Sequence, residues 1–264
     1  MGHAQTEKII VSEGDVASRC RARNVPGSYM LFPRAQRVEH FLPGLEGIEA
    51  QVLAAPPLGA KFVEHELVIF ANGKTTRPVE QVFEHFFYVL EGNLKFEFEG
   101  KNHKMGEGNF CWLPPNSSFQ FKNGQDDTTR VVWVRRKFEE VPGLAIPAPI
   151  FAHESDVPAK PTDTYMQQIL TPYDNTQFDM GINLQVFDPG VFFSFVESHV
   201  MEHGVYWLYG KGIYWLNGDY MEVQKDDFIY MAPFCPQFYY STGWGKSAYL
   251  LYKDVNRDYV SYLD

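Results

Sequence analysis

The chain repeats itself, and this feature limits its possible folds more than any other property of the sequence. The segment from His85 to Gly92 resembles a later segment from His203 to Gly210. After each glycine come an alternating strand, a polar turn and a second strand that ends in proline, at Pro114 or Pro233. Each copy then closes on one further strand. Self-similarity of this kind indicates two homologous units in tandem.

Strand patterns fill both copies. Residues 94–99 alternate strictly between apolar and polar side chains and then meet a glycine, as expected for a half-buried strand ending in a turn. Residues 130–134 form a short apolar run, typical of a strand buried on both faces. Helical periodicity is nearly absent, and we expect one short helix within residues 159–170. The sequence therefore predicts an all-β protein.

Repeated units of short antiparallel strands must close or stack their sheets to protect the edges. The order glycine, histidine, glycine, proline in both copies resembles the cupin fold, a small jelly-roll barrel. Two copies would make a bicupin of two tandem jelly-roll β-barrels with few short helices. We place the N-terminal barrel in residues 1–147 and the C-terminal barrel in residues 148–264, with a linker rich in proline and alanine at 141–161.

Charge and cysteine usage exclude several classes of partner. The 23 Lys and Arg against 33 Asp and Glu give a net charge of -10, which argues against nucleic acid or an anionic membrane as the main partner. No run of 18 apolar residues occurs, and the polar N-terminus carries no secretory signal. Cys20, Cys111 and Cys235 are far apart in sequence, which favours free thiols in a reducing compartment. We therefore expect a cytoplasmic protein.

The second copy carries a pattern of metal-binding residues. Glu197 and His199 are two residues apart on a predicted strand, so their side chains project to one face. His203 follows after a bend, and Gln237 comes from the turn after Pro233. A carboxylate with two imidazoles suits Mn, Fe, Zn, Ni or Cu, and the amide oxygen, a hard donor, favours Mn over Zn. The pattern predicts a metal site in the C-terminal barrel.

The first copy serves as an internal comparison for this site. The residues opposite the four candidate ligands are Val79, Gln81, His85 and Ser118. Since only the histidine is kept, we predict that the N-terminal barrel is metal-free and structural. Glu202 points away from the site by strand alternation and is expected to be solvated. The histidines without donors at ligand spacing are expected in the core or on the surface: His40, His65, His103 and His153.

The motifs of the second half, in their order and spacing, are similar to those of the (S)-ureidoglycine aminohydrolase family. They are Glu-x-His-x3-His-Gly from position 197, Gly-x-Gly-x-Tyr from 210 and Met-Ala-Pro-Phe-x-Pro-Gln from 231. The segment Tyr-Leu-Leu-Tyr-Lys-Asp-Val-Asn-Arg-Asp from 249 matches as well. The resemblance implies a manganese bicupin of purine and allantoin breakdown that removes ammonia from ureidoglycine and leaves ureidoglycolate.

The resemblance also implies roles for individual residues. The manganese ligands would be Glu197, His199, His203 and Gln237. The residues that contact substrate would be Tyr214, Tyr249 and Lys253. Tyr249 and Lys253 share one face of the last strand, and a lysine inside a barrel needs a partner such as a substrate carboxylate. In the alternative interpretation, Lys253 ends its strand in solvent.

One position departs from the family. The family has an acid after the first barrel that is thought to bind the substrate amine, whereas Pro142 stands there in this chain, with Glu139 and Glu140 nearby. Either a small shift brings one of these acids in, or the amine is held differently. Two other functions stay open, a metal-dependent dioxygenase or isomerase acting on another small metabolite and a non-catalytic metabolite-binding bicupin. In each case we expect a small-molecule ligand and a homo-oligomer.

Overall fold

The computed structural model describes residues 20–257. This part of the chain contains three single-turn 3-10 helices, at Arg34–Gln36, Pro56–Leu58 and Glu154–Asp156, and no α-helix. It also contains no helix long and apolar enough to cross a membrane. The strands are β1 Arg23–Val25, β2 Tyr29–Phe32, β3 Glu39–His40, β4 Leu45–Ala54, β5 Phe62–Thr75, β6 Val79–Glu80, β7 Phe83–Glu91, β8 Asn93–Phe98, β9 Lys101–Gly106, β10 Asn109–Leu113, β11 Ser118–Asn123, β12 Thr129–Lys137, β13 Ile150–His153, β14 Lys160–Thr162, β15 Tyr165–Ile169, β16 Met180–Phe187, β17 His203–Tyr209, β18 Lys211–Leu216, β19 Asp219–Gln224, β20 Phe228–Met231, β21 Gln237–Ser241 and β22 Ser247–Asp254. The predicted all-β class is confirmed.

The strands form two curled units. The first is an 11-stranded sheet with β13, β10, β7, β12, β5, β11, β8 and β9 along its main path. The second combines an eight-stranded sheet, ordered β1-β2-β20-β17-β22-β16-β15-β14, with a three-stranded sheet, β19-β18-β21. Each unit has its own buried apolar cluster. All the strand pairs are antiparallel, as a jelly roll requires.

The sequence repeat is visible as a repeat of strand pairing. In the first unit β7 pairs with β10 and β12, and in the second β17 pairs with β20 and β22. The central strand of each triplet, β7 or β17, is followed directly by a glycine of positive φ, 86° at Gly92 and 75° at Gly210. A Cβ at Gly210 would lie 2.4 Å from the Lys246 carbonyl oxygen. This turn therefore requires glycine both for its positive φ and for the lack of space.

Strands are exchanged between the two halves of the chain. Near the N-terminus β2 pairs with β20 of the second unit, with Tyr29 opposite Met231. In the other direction β13, which lies inside the predicted linker, pairs with β10 of the first unit. The predicted boundary at residue 147 stays a prediction, but strands cross it both ways. Each unit therefore depends on a strand from the other half.

The helix expected within residues 159–170 is wrong. This segment forms β14 and β15, and β15 pairs with β16, where Gln167 lies opposite Gln185. Long-range pairing with the neighbouring strand overrides the weak local preference of such a short segment.

The largest buried cluster lies between the units. It includes Phe62 and Trp112 from the first half and Tyr230 and Tyr252 from the second. At its edge Arg130 donates 2.7 Å and 2.8 Å hydrogen bonds to Glu66 and Asp226 from the two halves. The two barrels are therefore joined by a continuous core with buried ion pairs.

Gly204 in β17 is packed against this interface, and we expect Gly204→Ala to destabilise the fold. A Cβ there would lie 2.7 Å from Glu64 Oε2 and 2.9 Å from Phe62 Cζ. Overpacking of this kind costs about 1–3 kcal/mol of unfolding free energy, which denaturant titration can measure. Gly245→Ala is the matched control, since a Cβ there meets nothing within 4 Å. Equal stabilities of the two variants would contradict the tight packing.

Candidate metal centre and substrate pocket

Two imidazoles meet at the start of β17. His203 is the first residue of that strand, and His199 lies in the segment before it. Their Nε2 atoms are 3.2 Å apart, with the rings nearly perpendicular at 74°. Two nitrogens that each lie about 2.1 Å from one metal ion, at an angle of about 100°, would be about 3.2 Å apart. The pair is therefore spaced as two ligands of a single ion are.

Gln237 brings a third donor to the same point. It is the first residue of β21, and its Nε2 lies 3.2 Å from His199 Nε2. Its Oε1 accepts a 2.8 Å hydrogen bond from Tyr214 of β18. To bind a metal, Gln237 must point its amide oxygen, and not its nitrogen, toward the imidazoles. A rotation of the side-chain amide by 180° exchanges the two atoms. The Tyr214 hydroxyl would then accept from Nε2, because a hydroxyl can serve in either role.

Glu197 lies directly opposite Gln237. The two backbones exchange two 2.9 Å hydrogen bonds, Glu197 N to Gln237 O and the reverse. Directly opposed residues of an antiparallel pair project to the same face. Burial raises the pKa of Glu197, and the Lys253 charge partly offsets this. Glu197 therefore lines the same pocket as the two imidazoles.

The donors that the structure brings together are two imidazoles and an amide, from His199, His203 and Gln237, and such a set suits a first-row divalent ion. Within residues 20–257 no three His, Cys, Asp or Glu side chains group closely enough to hold an ion, so the Glu197 carboxylate is not drawn in to the two imidazoles here. Burial lowers the pKa of His199, and it lowers that of His203 well below the usual range. Both imidazoles are therefore neutral near pH 7 and offer a lone pair, the form that binds metals.

Lys253 stands beside the imidazoles. It is paired with His203 in the register of β17 and β22, and its Nζ lies 4.0 Å from the centre of the Tyr173 ring. Burial lowers its pKa, while Glu197 acts in the opposite direction. In the described part of the chain no carboxylate oxygen lies within 4.0 Å of Nζ. The interpretation of Lys253 as an inward cation that lacks a fixed partner is therefore favoured over a solvated strand end.

These groups open into a pocket of about 440 Å³. It is lined by Thr162, Tyr165, Gln167, Tyr173, Gln185, Phe195, Val196, Glu197, Ser198, His199, Met201, His203, Leu251 and Lys253. Such a volume suits a small metabolite.

The two predicted substrate-contacting tyrosines lie behind the wall of this pocket. Tyr214 is 1% and Tyr249 2% exposed, and neither lines the pocket. Tyr249 donates a 2.5 Å hydrogen bond to Gln185, as Tyr214 does to Gln237. Burial raises the pKa of both hydroxyls well above the usual range, so both stay protonated. In this structure Tyr249 orients an amide that lines the pocket, Gln185, and Tyr214 orients the Gln237 amide beside His199.

Sequence reasoning did not identify Gln167 and Gln185, two amides that lie opposite each other on β15 and β16 and line the pocket. Gln185 is 5% exposed and shares the inner face of β16 with Asn183. Polar side chains at alternate positions of a buried strand are the signal that could have revealed them.

The acids proposed for the substrate amine lie elsewhere. Glu139 accepts a 3.0 Å hydrogen bond from Arg136 at the barrel interface. Neither it nor Glu140 nor Pro142 lines the pocket, where Glu197 is the one described acid. The structure therefore favours the alternative in which the amine is held differently.

The prediction that Glu202 is solvated is wrong. Its side chain is fully buried, and its two carboxylate oxygens accept hydrogen bonds of 3.2 Å and 3.0 Å from the Lys61 backbone N–H. Strand alternation does not apply here, because residues 200–202 form no strand. Glu202 thus ties the segment between two candidate ligands to the first barrel.

Comparisons with known proteins agree with this architecture. A family model described as a cupin domain matches residues 67–135. The (S)-ureidoglycine aminohydrolase of Escherichia coli (strain K12) is 31% identical over 236 residues, covering 88% of this chain and 90% of that protein. The enzyme of the same name from Arabidopsis thaliana is 30% identical, covering 82% of this chain and 72% of that one.

A solved structure, protein Ylba from E. coli, superposes with a TM-score of 0.83 at 29% identity, over 94% of this chain and 99% of that chain. The resemblance in the motifs of the second half is thereby confirmed across most of the length. The chain belongs to the (S)-ureidoglycine aminohydrolase family.

Proposed function

We propose that this protein is a manganese-dependent aminohydrolase that converts (S)-ureidoglycine and water into (S)-ureidoglycolate and ammonia. The observation that carries the proposal is the convergence of His199, His203 and Gln237 beside Lys253, for which the described residues supply no carboxylate partner. The substrate's carboxylate would complete the ion pair that the fold leaves open at Lys253. Membership of the family supports the choice of substrate.

Different residues of the pocket bind different groups of the substrate. Lys253 binds the carboxylate, and its Nζ lies 4.0 Å from the centre of the Tyr173 ring, which holds the lysine by a cation–π contact. Gln185, oriented by Tyr249, and Gln167 present amides that can pair with the ureido group. The substrate would thus be fixed at both ends, which selects one face of its central carbon.

Hydrolysis forms a bond from water oxygen to the central carbon and breaks the bond from that carbon to the amine. The proton lost by water accounts for the one gained by the leaving amine. Glu197, His199, His203 and Gln237 would hold the ion, which when bound supplies Lewis acidity and lowers the pKa of water. Burial lowers the pKa of Lys253 and Glu197 acts in the opposite direction, and a bound substrate carboxylate would further favour the charged form of the lysine that pairs with it.

Chelator-stripped protein is expected to regain activity when Mn²⁺ is added. The measurement is ammonia release from freshly generated (S)-ureidoglycine, compared with spontaneous decay and with the stripped protein. Release that Mn²⁺ accelerates, with about one ion bound per chain, would support the proposal. If manganese binds but release does not accelerate, the proposed substrate is wrong, and oxygen uptake with other small acids would then test the dioxygenase alternative.

We also propose that the protein assembles as a homo-oligomer. Large apolar side chains are exposed on the single chain, among them Phe41 at 75% and Trp244 at 103%, and surfaces of this kind are typical of subunit contacts. Light scattering coupled to size-exclusion chromatography gives the mass, and a mass of one chain would contradict the expectation.

A further inference from the structure

The first barrel keeps a cation at the position that Lys253 occupies in the second. Lys253 on β22 is paired with His203 on β17. In the first barrel Arg135 on β12 is paired with His85 on β7, in the same arrangement. The repeat therefore preserves a histidine and a cation side by side even where the other candidate metal ligands are absent.

Arg135 has no acidic partner among the side chains that the structure describes. Its Nη1 donates a long 3.4 Å hydrogen bond to Gln81, and its guanidinium carbon lies 4.1 Å from the centre of the Trp133 ring. Its Nε is buried and has no hydrogen-bond partner. Among the side chains that the structure describes, no carboxylate oxygen lies within 4.0 Å of this guanidinium. Arg135 is half-buried, and a cation that is partly withdrawn from water without an acidic partner is costly.

His85 adds a second open donor. It is 0% exposed, and its Nδ1 accepts a 3.2 Å hydrogen bond from Trp133 Nε1. In the neutral ring the proton therefore lies on Nε2, and this N–H has no partner. Burial and the Arg135 charge lower the pKa of His85 to about 3, which keeps the ring neutral.

The same hydrogen bond explains why this position is a poor metal site. A metal ligand must offer a lone pair, and Trp133 already uses the one on His85 Nδ1. Deeper in the barrel the ring of Phe119 packs 4.9 Å from that of His85, so a ligand could not enter the interior. What remains at the mouth of the barrel, where the half-buried Arg135 lies beside the fully buried His85, is a set of N–H donors with one positive charge, and this suits a small anion.

We propose that the mouth of the first barrel binds a small organic carboxylate through Arg135, with the His85 side chain as a second donor. The planar guanidinium fork matches a planar carboxylate in two parallel hydrogen bonds. The single charge and closed interior favour a monoanion of a few carbon atoms. The site lies in the barrel opposite to the proposed active site, and its existence does not rest on the proposed reaction.

The test uses full-length protein with Lys253→Met that has been stripped of metal with a chelator, so that neither the lysine nor a metal ion of the second barrel can bind the anion. Glycolate, its neutral isostere glycolamide and inorganic sulfate are titrated in separate calorimetric experiments. We expect glycolate to bind with one site per chain and glycolamide to bind at least tenfold more weakly. Equal binding of glycolamide would overturn the role of charge, and equal binding of sulfate would overturn the assignment to a carboxylate.

Variants then locate the site. Adding Arg135→Gln should weaken glycolate binding at least tenfold, whereas Arg135→Lys, which keeps the charge, should retain part of it. Lys104→Gln, an exposed charge on β9 of the same barrel, is the control and should change nothing. Thermal unfolding identifies the variants that are folded. If folded Lys253→Met/Arg135→Gln protein binds glycolate as tightly as Lys253→Met protein does, the proposal is wrong.

Discussion

Replacement of His203 by alanine is expected to abolish metal retention and to lower ammonia release by more than about 100-fold. Substitutions outside the coordination sphere of a metal already cost about 10- to 100-fold in affinity or activity, and His203 is a ligand in the proposed site. Its Nε2 lies 3.2 Å from that of His199, so its loss leaves one imidazole and an amide beside Glu197. Metal content per chain and ammonia release are measured on the same preparation.

A buried histidine also contributes to packing, so the effect on the metal must be separated from unfolding. His203→Gln keeps most of the side-chain volume and should still lose the metal, since the amide is a weaker ligand in a site that already has one. His153→Ala removes a histidine that lines no part of the pocket and should keep both metal and activity. Folded His203→Ala protein that retains a full complement of metal would show that the ion binds elsewhere.

The features that could be predicted from the sequence are those that the internal repeat determines. The repeat aligns His203 with His85, and in the structure these two histidines occupy equivalent places in β17 and β7. The interleaving of the barrels could not be predicted in this way. The pairing of β2 with β20 joins residues far apart in the chain. A local sequence pattern does not indicate which distant strand will pair with the exposed edge of β20.

The errors at the site have a similar origin. Alternation assigns faces only along a strand, and Glu202 lies in an irregular segment where its carboxylate reaches the Lys61 backbone. Glu139 would lie near the substrate in only one of the two alternatives for the amine, and in the structure it pairs with Arg136 at the interface. Polar partners that are distant in the chain or in another barrel determine both positions, because a carboxylate withdrawn from water needs hydrogen-bond partners.

The hydrogen bonds of Glu202 give the first barrel a function in the proposed site. The segment between His199 and His203 is fixed to the first barrel through Lys61, and the Glu202 backbone N–H donates a 2.7 Å hydrogen bond to Asp254, next to Lys253. The side chain of Glu202 thus connects the segment between two candidate ligands to the first barrel, and its backbone N–H connects the same segment to the neighbour of Lys253. Such support from outside the coordination sphere sets how rigidly the ligands are held.

Replacement of Lys253 by methionine should separate substrate binding from metal binding. We expect kcat/KM for (S)-ureidoglycine to fall by about 10- to 150-fold, the equivalent of the roughly 1.5–3 kcal/mol of a charge-assisted hydrogen bond. The loss should appear mainly in KM, because methionine keeps the length of the side chain and removes the charge that faces the carboxylate. Metal content should be unchanged, in contrast to the His203 variants.

Lys211→Met is the matched control, because Lys211 is an exposed lysine of the same barrel whose Nζ lies 3.1 Å from Glu222. It should leave kcat/KM unchanged. Lys253→Arg keeps the charge, but its larger planar group must fit beside Tyr173, so we expect partial activity. If Lys253→Met kept the full kcat/KM, the carboxylate would be bound by another group. If it lost the metal together with activity, Lys253 would support the metal centre rather than the substrate, since a lysine that only binds the carboxylate has no reason to change the affinity for the ion.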